Sequence, residues 1–505
     1  MTEKSNLKEI GSLIESLRER SNMTQAELAE KLATSQSAIA RMENGEQNFT
    51  TEMLSKISGV LKHNIMTLSK GTINFQIEGG HKLSGTVVTK TSKNAAVALL
   101  CASLLNHNTT ILKNMPRIEE VSRIIEVITS IGVDVRWVEN DIHITPPKTI
   151  EMSKLNIESA IKTRSIIMLI GPLIHLLKEF NLPQVGGCKL GSRSVRPHFY
   201  ALQELGVKIE TKHDHYHISQ KKLKPAYIVM YESGDTVTEN VLMAAALVPG
   251  KTNIKFASAN YMVQDMCFFL ESLGVKIEGI GTTTLVVHGI QTIDTPITYS
   301  PSEDPTETMF FLAAAATTNS SIQINRCPID FLELELLKMS KMGFKYKILR
   351  EYTANNGKTR LVDLQTMPSV LKALEEKIES RPYPGLNIDN LPFFAVIATQ
   401  ARGQTLIHDW VYEKRAIYYT ELDKLGADTI LADQHRFFVN GPTQLRAAQV
   451  VCPPALRPAT IILIGMLAAK GTSMLRNVYS INRGYEDLAN RLNQLGAKIK
   501  TFQEF

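Results

Sequence analysis

From residue 93 onward one pattern of apolar and polar positions recurs six times. Each copy opens on a stretch that is apolar on every side: NAAVALLCASLL (94–105), RSIIMLIGPLIHLL (164–177), VTENVLMAAALV (237–248), TETMFFLAAAA (306–316), LPFFAVIATQA (391–401) and ATIILIGMLAAK (459–470). A helix without a polar face has no side to turn to water, so these six are predicted as interior helices. A short strand such as TTILKN or TNIKFA follows most of them. Then comes a stretch with apolar residues at helical spacing on one side only, such as EEVSRIIEVITSI, and then a glycine at 132, 206, 274, 343, 426 or 496. Each glycine is predicted to take the left-handed conformation that ends the helix and turns the chain into an alternating strand such as VDVRWV. The glycines are 74, 68, 69, 83 and 70 residues apart. Internal repetition at this period predicts six β-α-β-α-β units with helices inside sheets, three units to each of two similar lobes. The 83-residue interval places an insertion in the fourth copy, around 351–380, where SVLKALEEKIES (369–380) reads as an added exposed helix.

Residues 1–72 carry a different pattern. Leu7, Ile10, Leu13, Ile14 and Leu17 have helical spacing. Thr24 is placed to cap a helix from Gln25 to near Ala33, with Glu27 completing a capping box. Ser35 is placed to cap a second helix, Gln36 to Glu43, which Asn44-Gly45 ends. Two short helices joined by a tight turn form a helix-turn-helix, and 51–68 is predicted to add two more short helices. The fold class is therefore α/β with an all-α N-terminal domain.

Composition narrows the chemistry. A chain of 505 residues exceeds one ordinary core, and 44% apolar with 21% charged residues is a globular balance. A net charge of +6 suits an anionic small molecule. Acidic and basic residues nearly balance in 1–70, so that unit has no strong electrostatic footprint for nucleic acid. The five cysteines (101, 188, 267, 327 and 452) are scattered and odd in number, with no zinc-ligand spacing. That predicts no metal and a reduced, cytoplasmic compartment. The polar start MTEKSNLKEI has no apolar signal core, and no apolar run reaches membrane-spanning length.

The densest chemistry lies in VGGCKLGSRSVRPH, 185–198. Gly186 and Gly187 free the backbone. Cys188 stands among Lys189, Arg193 and Arg196, a cationic setting that lowers a thiol pKa. The two arginines are the side chains that grip phosphate or carboxylate with two prongs. A surface loop with an ordinary thiol has the same composition.

Two resemblances extend these readings. Residues 1–72 resemble the phage-repressor-like helix-turn-helix family through TQAELA, the Ser35-Gln36-Ser37 start of the second helix and the closing ENG. The resemblance implies that Gln25, Ser35, Gln36, Ser37 and Arg41 face double-stranded DNA in the major groove. The alternative is a bundle that serves as a docking cap or holds a homodimer.

With the six repeats and the GGC loop together, residues 73–505 resemble the UDP-N-acetylglucosamine enolpyruvyl transferase family. That family has two inside-out α/β domains, each of three repeats, closing over substrate; here they correspond to 92–299 and to 73–91 with 300–505. It moves the enolpyruvyl group of phosphoenolpyruvate onto a sugar 3-hydroxyl in peptidoglycan precursor synthesis, without a cofactor. Carried over, Lys93 of TSKNAA holds the phosphate and Asn94 meets the sugar nucleotide. Arg164 is the second arginine of the phosphoenolpyruvate site. Cys188 is the thiol alkylated by fosfomycin, acting as acid or in product release, and Arg193 follows it. Asp389 of RPYPGLNID is the general base. Val411, Glu413 and Arg415 of VYEKR line the substrate site, and Arg457 of ALRPA binds the carboxylate.

The chain departs from that pattern on the nucleotide side. Ser194 and Arg196 replace a proline and an aspartate, and Ala455 replaces an aspartate. YESGDTVTEN replaces a turn that meets the diphosphate, and SANYMVQ (258–264) replaces an acidic stretch. The acceptor is accordingly read as a UDP-sugar or a related uridine nucleotide. A DNA-binding regulator with a transferase-derived ligand sensor is the other reading. The GGC loop sets aside the sister family acting on shikimate phosphate.

Overall fold

All six apolar stretches become interior helices: Lys93–Ala102, Ile170–Leu176 (entered through a 3-10 turn at Arg164–Leu169), Asp235–Ala246, Pro305–Thr317, Leu391–Ala398 and Leu456–Ala468. The computed structural model describes residues 3–21, 23–46, 51–61, 72–184 and 194–504. Every residue of Pro305–Thr317 is buried, as a helix without a polar face requires. The six repeat glycines have φ between +83° and +106°, the predicted left-handed turn.

Among the described residues the strands form six sheets, five of four strands and one of three. In the first repeat the order is Ile297–Tyr299, Thr110–Leu112, Asp141–Thr145, Asp134–Val138. Its edge strand thus comes from nearly 190 residues further along the chain, lying parallel with Tyr299 opposite Leu112. In the last repeat, Thr72–Gly79 pairs antiparallel with Gly471–Arg476, Phe75 opposite Leu475. Ser84–Val88 lies parallel on Ser321–Pro328 in the fourth. One core runs from Ala95 to Tyr299. A second takes Phe75 to Val87 together with Met309 to Ile499.

The chain passes between the two cores at 88–92 and 300–304, and the two passages hold each other. Thr91 bridges Glu303, the Ser92 N–H donates to the Ser302 carbonyl at 2.8 Å, and the Asp304 N–H donates to the Lys90 carbonyl at 2.9 Å. Buried Asp265 braces the second passage, accepting from Tyr299 Oη at 2.6 Å and from the Ser302 N–H at 2.9 Å.

The expected helix at 369–380 does not form. The extra length of the fourth repeat lies in its hairpin, Lys345–Thr353 and Arg360–Met367, with strands of nine and eight residues. The first repeat's hairpin strands have five each. SVLKALEEKIES instead runs extended into Ile378–Glu379, which pairs parallel with Ile407 and His408 while Leu371 and Ile378 enter the core. The repeat needs a parallel edge strand there, and that pairing overrides helix propensity.

The N-terminal unit contains helices Glu3–Arg20, Gln25–Lys31, Gln36–Glu43 and Thr51–Leu61 around Ile14, Leu17, Leu28, Ile39, Met42, Leu54 and Ile57. Thr24 and Glu27 form the capping box, and Ser35 accepts the Ala38 N–H at 3.2 Å. The second helix stops two residues short of the expected Ala33, which takes φ +51° to make the turn. Of the two helices expected in 51–68 one is Thr51–Leu61; residues 62–70 lie outside the described ones. No described helix is long and apolar enough to cross a membrane.

Replacing two repeat glycines separates backbone strain from crowding. A Cβ at Gly274 meets nothing within 4 Å, so Gly274→Ala carries only the left-handed penalty of about 1–2 kcal/mol. A Cβ at Gly206 comes within 2.6 Å of the Lys222 carbonyl oxygen. Thermal unfolding is expected to show a clearly larger loss for Gly206→Ala.

Candidate active site

A cleft of about 1470 Å³ lies between the lobes and takes its lining from both. Ser92 caps the first interior helix, its Oγ accepting the Ala95 N–H at 3.2 Å. This sets Lys93 and Asn94 in the first turn, where the helix dipole adds to the lysine charge. Lys93 Nζ lies 2.8 Å from Glu120 Oε2, and Ser165 Oγ donates to Glu120 Oε1 at 3.0 Å. Burial opposes ionisation of Glu120, but Lys93 and then Arg483 outweigh it and hold the carboxyl below its usual range. Asn94 Nδ2 reaches Tyr261 Oη at 3.4 Å.

The second lobe supplies Arg457 and Asp389. Arg457 stands in the first turn of Leu456–Ala468 and is buried. It donates from Nη1 to Tyr485 Oη at 2.7 Å and from Nη2 to Asp389 Oδ2 at 3.1 Å. Burial would raise the Asp389 carboxyl; Arg457, then Arg415 and Lys93, pull it below the usual range. Lys93 belongs to the other lobe, so cations from both lobes converge on one carboxylate. That carboxylate is ionised at neutral pH and able to accept a proton.

Arg415 lines the cleft but is already engaged. It donates to Asp409 from Nε at 2.6 Å and from Nη2 at 2.8 Å, in a pair buried on both sides, and Tyr419 Oη donates to the same carboxylate at 2.5 Å. Val411 lines the cleft, whereas Glu413 is exposed and is not part of its lining. Arg164 lines it and donates from Nη2 to the Ser194 carbonyl at 3.0 Å. Cys188 and Arg193 lie outside the described residues. The other four cysteines are buried, and burial pushes each thiol up, Cys452 to about 12, which makes them inert.

Sequence reasoning passed over Glu120, Tyr261, Asp304 and Tyr485. Asp304 caps Pro305–Thr317, accepting the Thr306 N–H at 2.8 Å; burial raises its carboxyl while Arg457 opposes. Tyr485 stands in INRGYEDL of the last repeat. Glu120 gave no signal, because it reads as the solvent side of an amphipathic helix.

In the N-terminal unit Ser35, Gln36, Ser37 and Arg41 are exposed on and before the second turn-linked helix, and Gln25 is half-buried. Gln25 Nε2 donates to Glu43 Oε2 at 2.8 Å and its Oε1 accepts from Gln36 Nε2 at 2.7 Å. Glu43 is itself held by Arg18 Nε at 2.7 Å.

Residues 77–492 match the family model described as EPSP synthase (3-phosphoshikimate 1-carboxyvinyltransferase). The chain belongs to this enolpyruvyl transferase family. Residues 14–62 match the helix-turn-helix model, so the transferase body carries a helix-turn-helix domain. The chain is 34% identical over 439 residues to the UDP-N-acetylglucosamine 1-carboxyvinyltransferase of Bradyrhizobium diazoefficiens, covering 86% of this chain and 99% of that relative. It is 32% identical over 430 residues to the enzyme of that name from Borreliella burgdorferi, covering 85% and 98%. The enolpyruvyl transferase NikO from Streptomyces tendae superposes with a TM-score of 0.73 at 23% identity, over 86% of this chain and all of that one. EPSP synthase from Acinetobacter baumannii gives 0.67 at 17% identity over the same shares. These two establish the fold, the inside-out α/β arrangement of the enolpyruvyl transferases.

Arg415 tests whether a cleft arginine in this family member is structural. Arg415→Ala leaves Asp409 buried without its partner, which costs about 3–5 kcal/mol. Thermal unfolding is expected to fall steeply; an unchanged midpoint with only a raised substrate KM would make Arg415 a substrate ligand instead.

Proposed function

We propose that the chain transfers the enolpyruvyl group of phosphoenolpyruvate to the 3-hydroxyl of UDP-N-acetylglucosamine, releasing phosphate, as a cytoplasmic step of peptidoglycan precursor synthesis. The observation that carries this reading is Asp389, an ionised carboxylate set among Arg457, Arg415 and Lys93 from two lobes. The names of the relatives at 30–34% identity support it.

In this reading Arg457 takes the carboxylate of phosphoenolpyruvate and Lys93 its phosphate, with Arg164 and Arg193 beside them. Asn94 and Val411 meet the acceptor. The acceptor oxygen attacks C2 as Asp389 takes its proton, and the methylene carbon gains a proton from Cys188. The tetrahedral carbon then carries carboxylate, phosphate and the new ether oxygen. Loss of a methyl proton with cleavage of the phosphate C–O bond restores the double bond and expels phosphate. Preorganised cations matter most at the tetrahedral stage, where each donor is worth about 3 kcal/mol.

The helix-turn-helix domain supports a second activity: contact with double-stranded DNA through Gln25, Ser35, Gln36, Ser37 and Arg41, or pairing into a homodimer. It also carries the alternative of a regulator that senses ligand through the transferase body.

Phosphate release from phosphoenolpyruvate, measured with UDP-N-acetylglucosamine and other uridine nucleotides, decides between these. Lys93→Ala and Arg457→Ala are each expected to lower kcat/KM about 10²–10³-fold. No phosphate with any acceptor, beside sequence-specific duplex binding, would favour the sensor. Because Arg457, Arg415 and Lys93 hold the Asp389 carboxyl below the ordinary carboxylate range, the acid limb of kcat/KM is expected below that range, and Arg457→Ala is expected to move it up. Cys188→Ser is expected to abolish fosfomycin labelling; persistent labelling refutes the thiol assignment.

A further inference from the structure

The helix Asp235–Ala246 begins at the cleft with Gly234 as a cap that offers no side chain. The backbone N–H groups and dipole of a helix start attract an anion. The chain supplies that anion itself. Asp235 stands at the first helical position, and Ser258 Oγ donates to its Oδ1 at 2.5 Å while Asn260 Nδ2 donates to its Oδ2 at 3.2 Å. Both oxygens of the carboxylate are held, and all three residues line the cleft.

A second observation lies one turn further on. Glu239 shares this helix face by its four-residue spacing and also lines the cleft. It is 1% exposed, and its Oε1 has no hydrogen-bond partner among the described residues. Burial, then the carboxylates of Asp235 and Asp265, push its carboxyl well above the usual range, which favours the protonated form. A buried carboxyl oxygen left open calls for a partner from a ligand.

We propose that Asp235 and Glu239 form the acceptor-selecting wall of the cleft, taking hydroxyl groups of a sugar ring and excluding phosphate from this end of the helix. A sugar hydroxyl donates to Asp235, and a neighbouring hydroxyl pairs with the open Oε1 of Glu239. A phosphate has only acceptor oxygens and negative charge, so it has nothing to offer Asp235 and is repelled by it. The anionic part of a sugar nucleotide is left to the cations elsewhere in the cleft, among them exposed Arg196. The assignment rests on the enolpyruvyl-transfer reading of the site for its choice of acceptor class, but not on turnover.

Calorimetric titration of the full chain with UDP and with UDP-N-acetylglucosamine tests it. The wild type is expected to bind the sugar nucleotide more tightly than UDP. In Asp235→Asn that preference is expected to shrink about tenfold, with UDP itself bound as tightly or more tightly once the repulsion is removed. Asp235→Ser, which fits a helix start equally well, is expected to behave the same way. A wild type that shows no preference for the sugar nucleotide, or variants that lose UDP affinity while keeping the preference, overturns the proposal. Phosphate release is scored separately, so failure of the transfer chemistry and failure of the sugar wall are distinguishable.

Discussion

The constraint from which the architecture follows is that six helices have no polar face. A helix such as Pro305–Thr317, buried at every residue, has to be covered on all sides. Three such helices packed together need a closed shell of sheets, and a shell built from consecutive repeats has a seam. The seam is closed by strands from distant parts of the chain: Ile297–Tyr299 for the first core, Thr72–Gly79 and Ser84–Val88 for the second. Closing both shells in this way brings the two passages between them side by side. Those passages run straight into Lys93–Ala102 and Pro305–Thr317, so the starts of two interior helices open at the junction of the lobes. A cation on one helix start and a capping carboxylate on the other are consequences of how the shells close.

Electrostatics at that junction is organised around carboxylates rather than around free cations. Three of the cleft cations are already engaged by anionic or polar partners: Lys93 by Glu120, Arg457 by Asp389 and Tyr485, Arg415 by Asp409. These pairings differ in kind. Arg415 and Asp409 are both sealed from water and bonded by two prongs, which fixes them as structure. The Arg457–Asp389 contact is single and longer, and Asp389 keeps 28% of its side chain exposed. An arriving carboxylate can therefore share Arg457 without first breaking a closed bidentate pair. The Lys93–Glu120 pair, at 15% and 20% exposure, is likewise open enough to exchange partners.

What was legible in the sequence follows from which forces act locally. Interior helices, repeat glycines and caps are set by residues within one turn, and Thr24, Ser35 and the six glycines behave as their chemistry dictates. Lys93, Asn94, Arg164, Asp389, Val411, Arg415 and Arg457 do share one cleft. The failures are where a distant partner decides. SVLKALEEKIES has the composition of a helix, yet strand pairing to Ile407–His408 claims it. Glu413 has the charge expected of a substrate ligand, but it is exposed and outside the cleft lining. Glu120 looked like surface because its burial comes from a neighbouring segment, through Ser165 and Lys93. Arg415 has the charge of a substrate cation and does line the cleft, while its pairing with Asp409 is recognisable only in three dimensions.

The helix-turn-helix domain obeys a similar logic on a smaller scale. Acidic and basic residues number nine each in 1–70, so its surface has no net field with which to gather DNA. Any grip on a duplex has to come from directed contacts. Gln25 and Gln36 are suited to that, since each is already aimed by a neighbour. Gln25 donates to Glu43, which Arg18 fixes from the buried side, and Gln36 is tied to Gln25 in turn. Side chains held this way lose less freedom on meeting a base edge than free ones do. Contact with a duplex, as proposed for this head, would therefore rest on shape and hydrogen bonding rather than on attraction by charge.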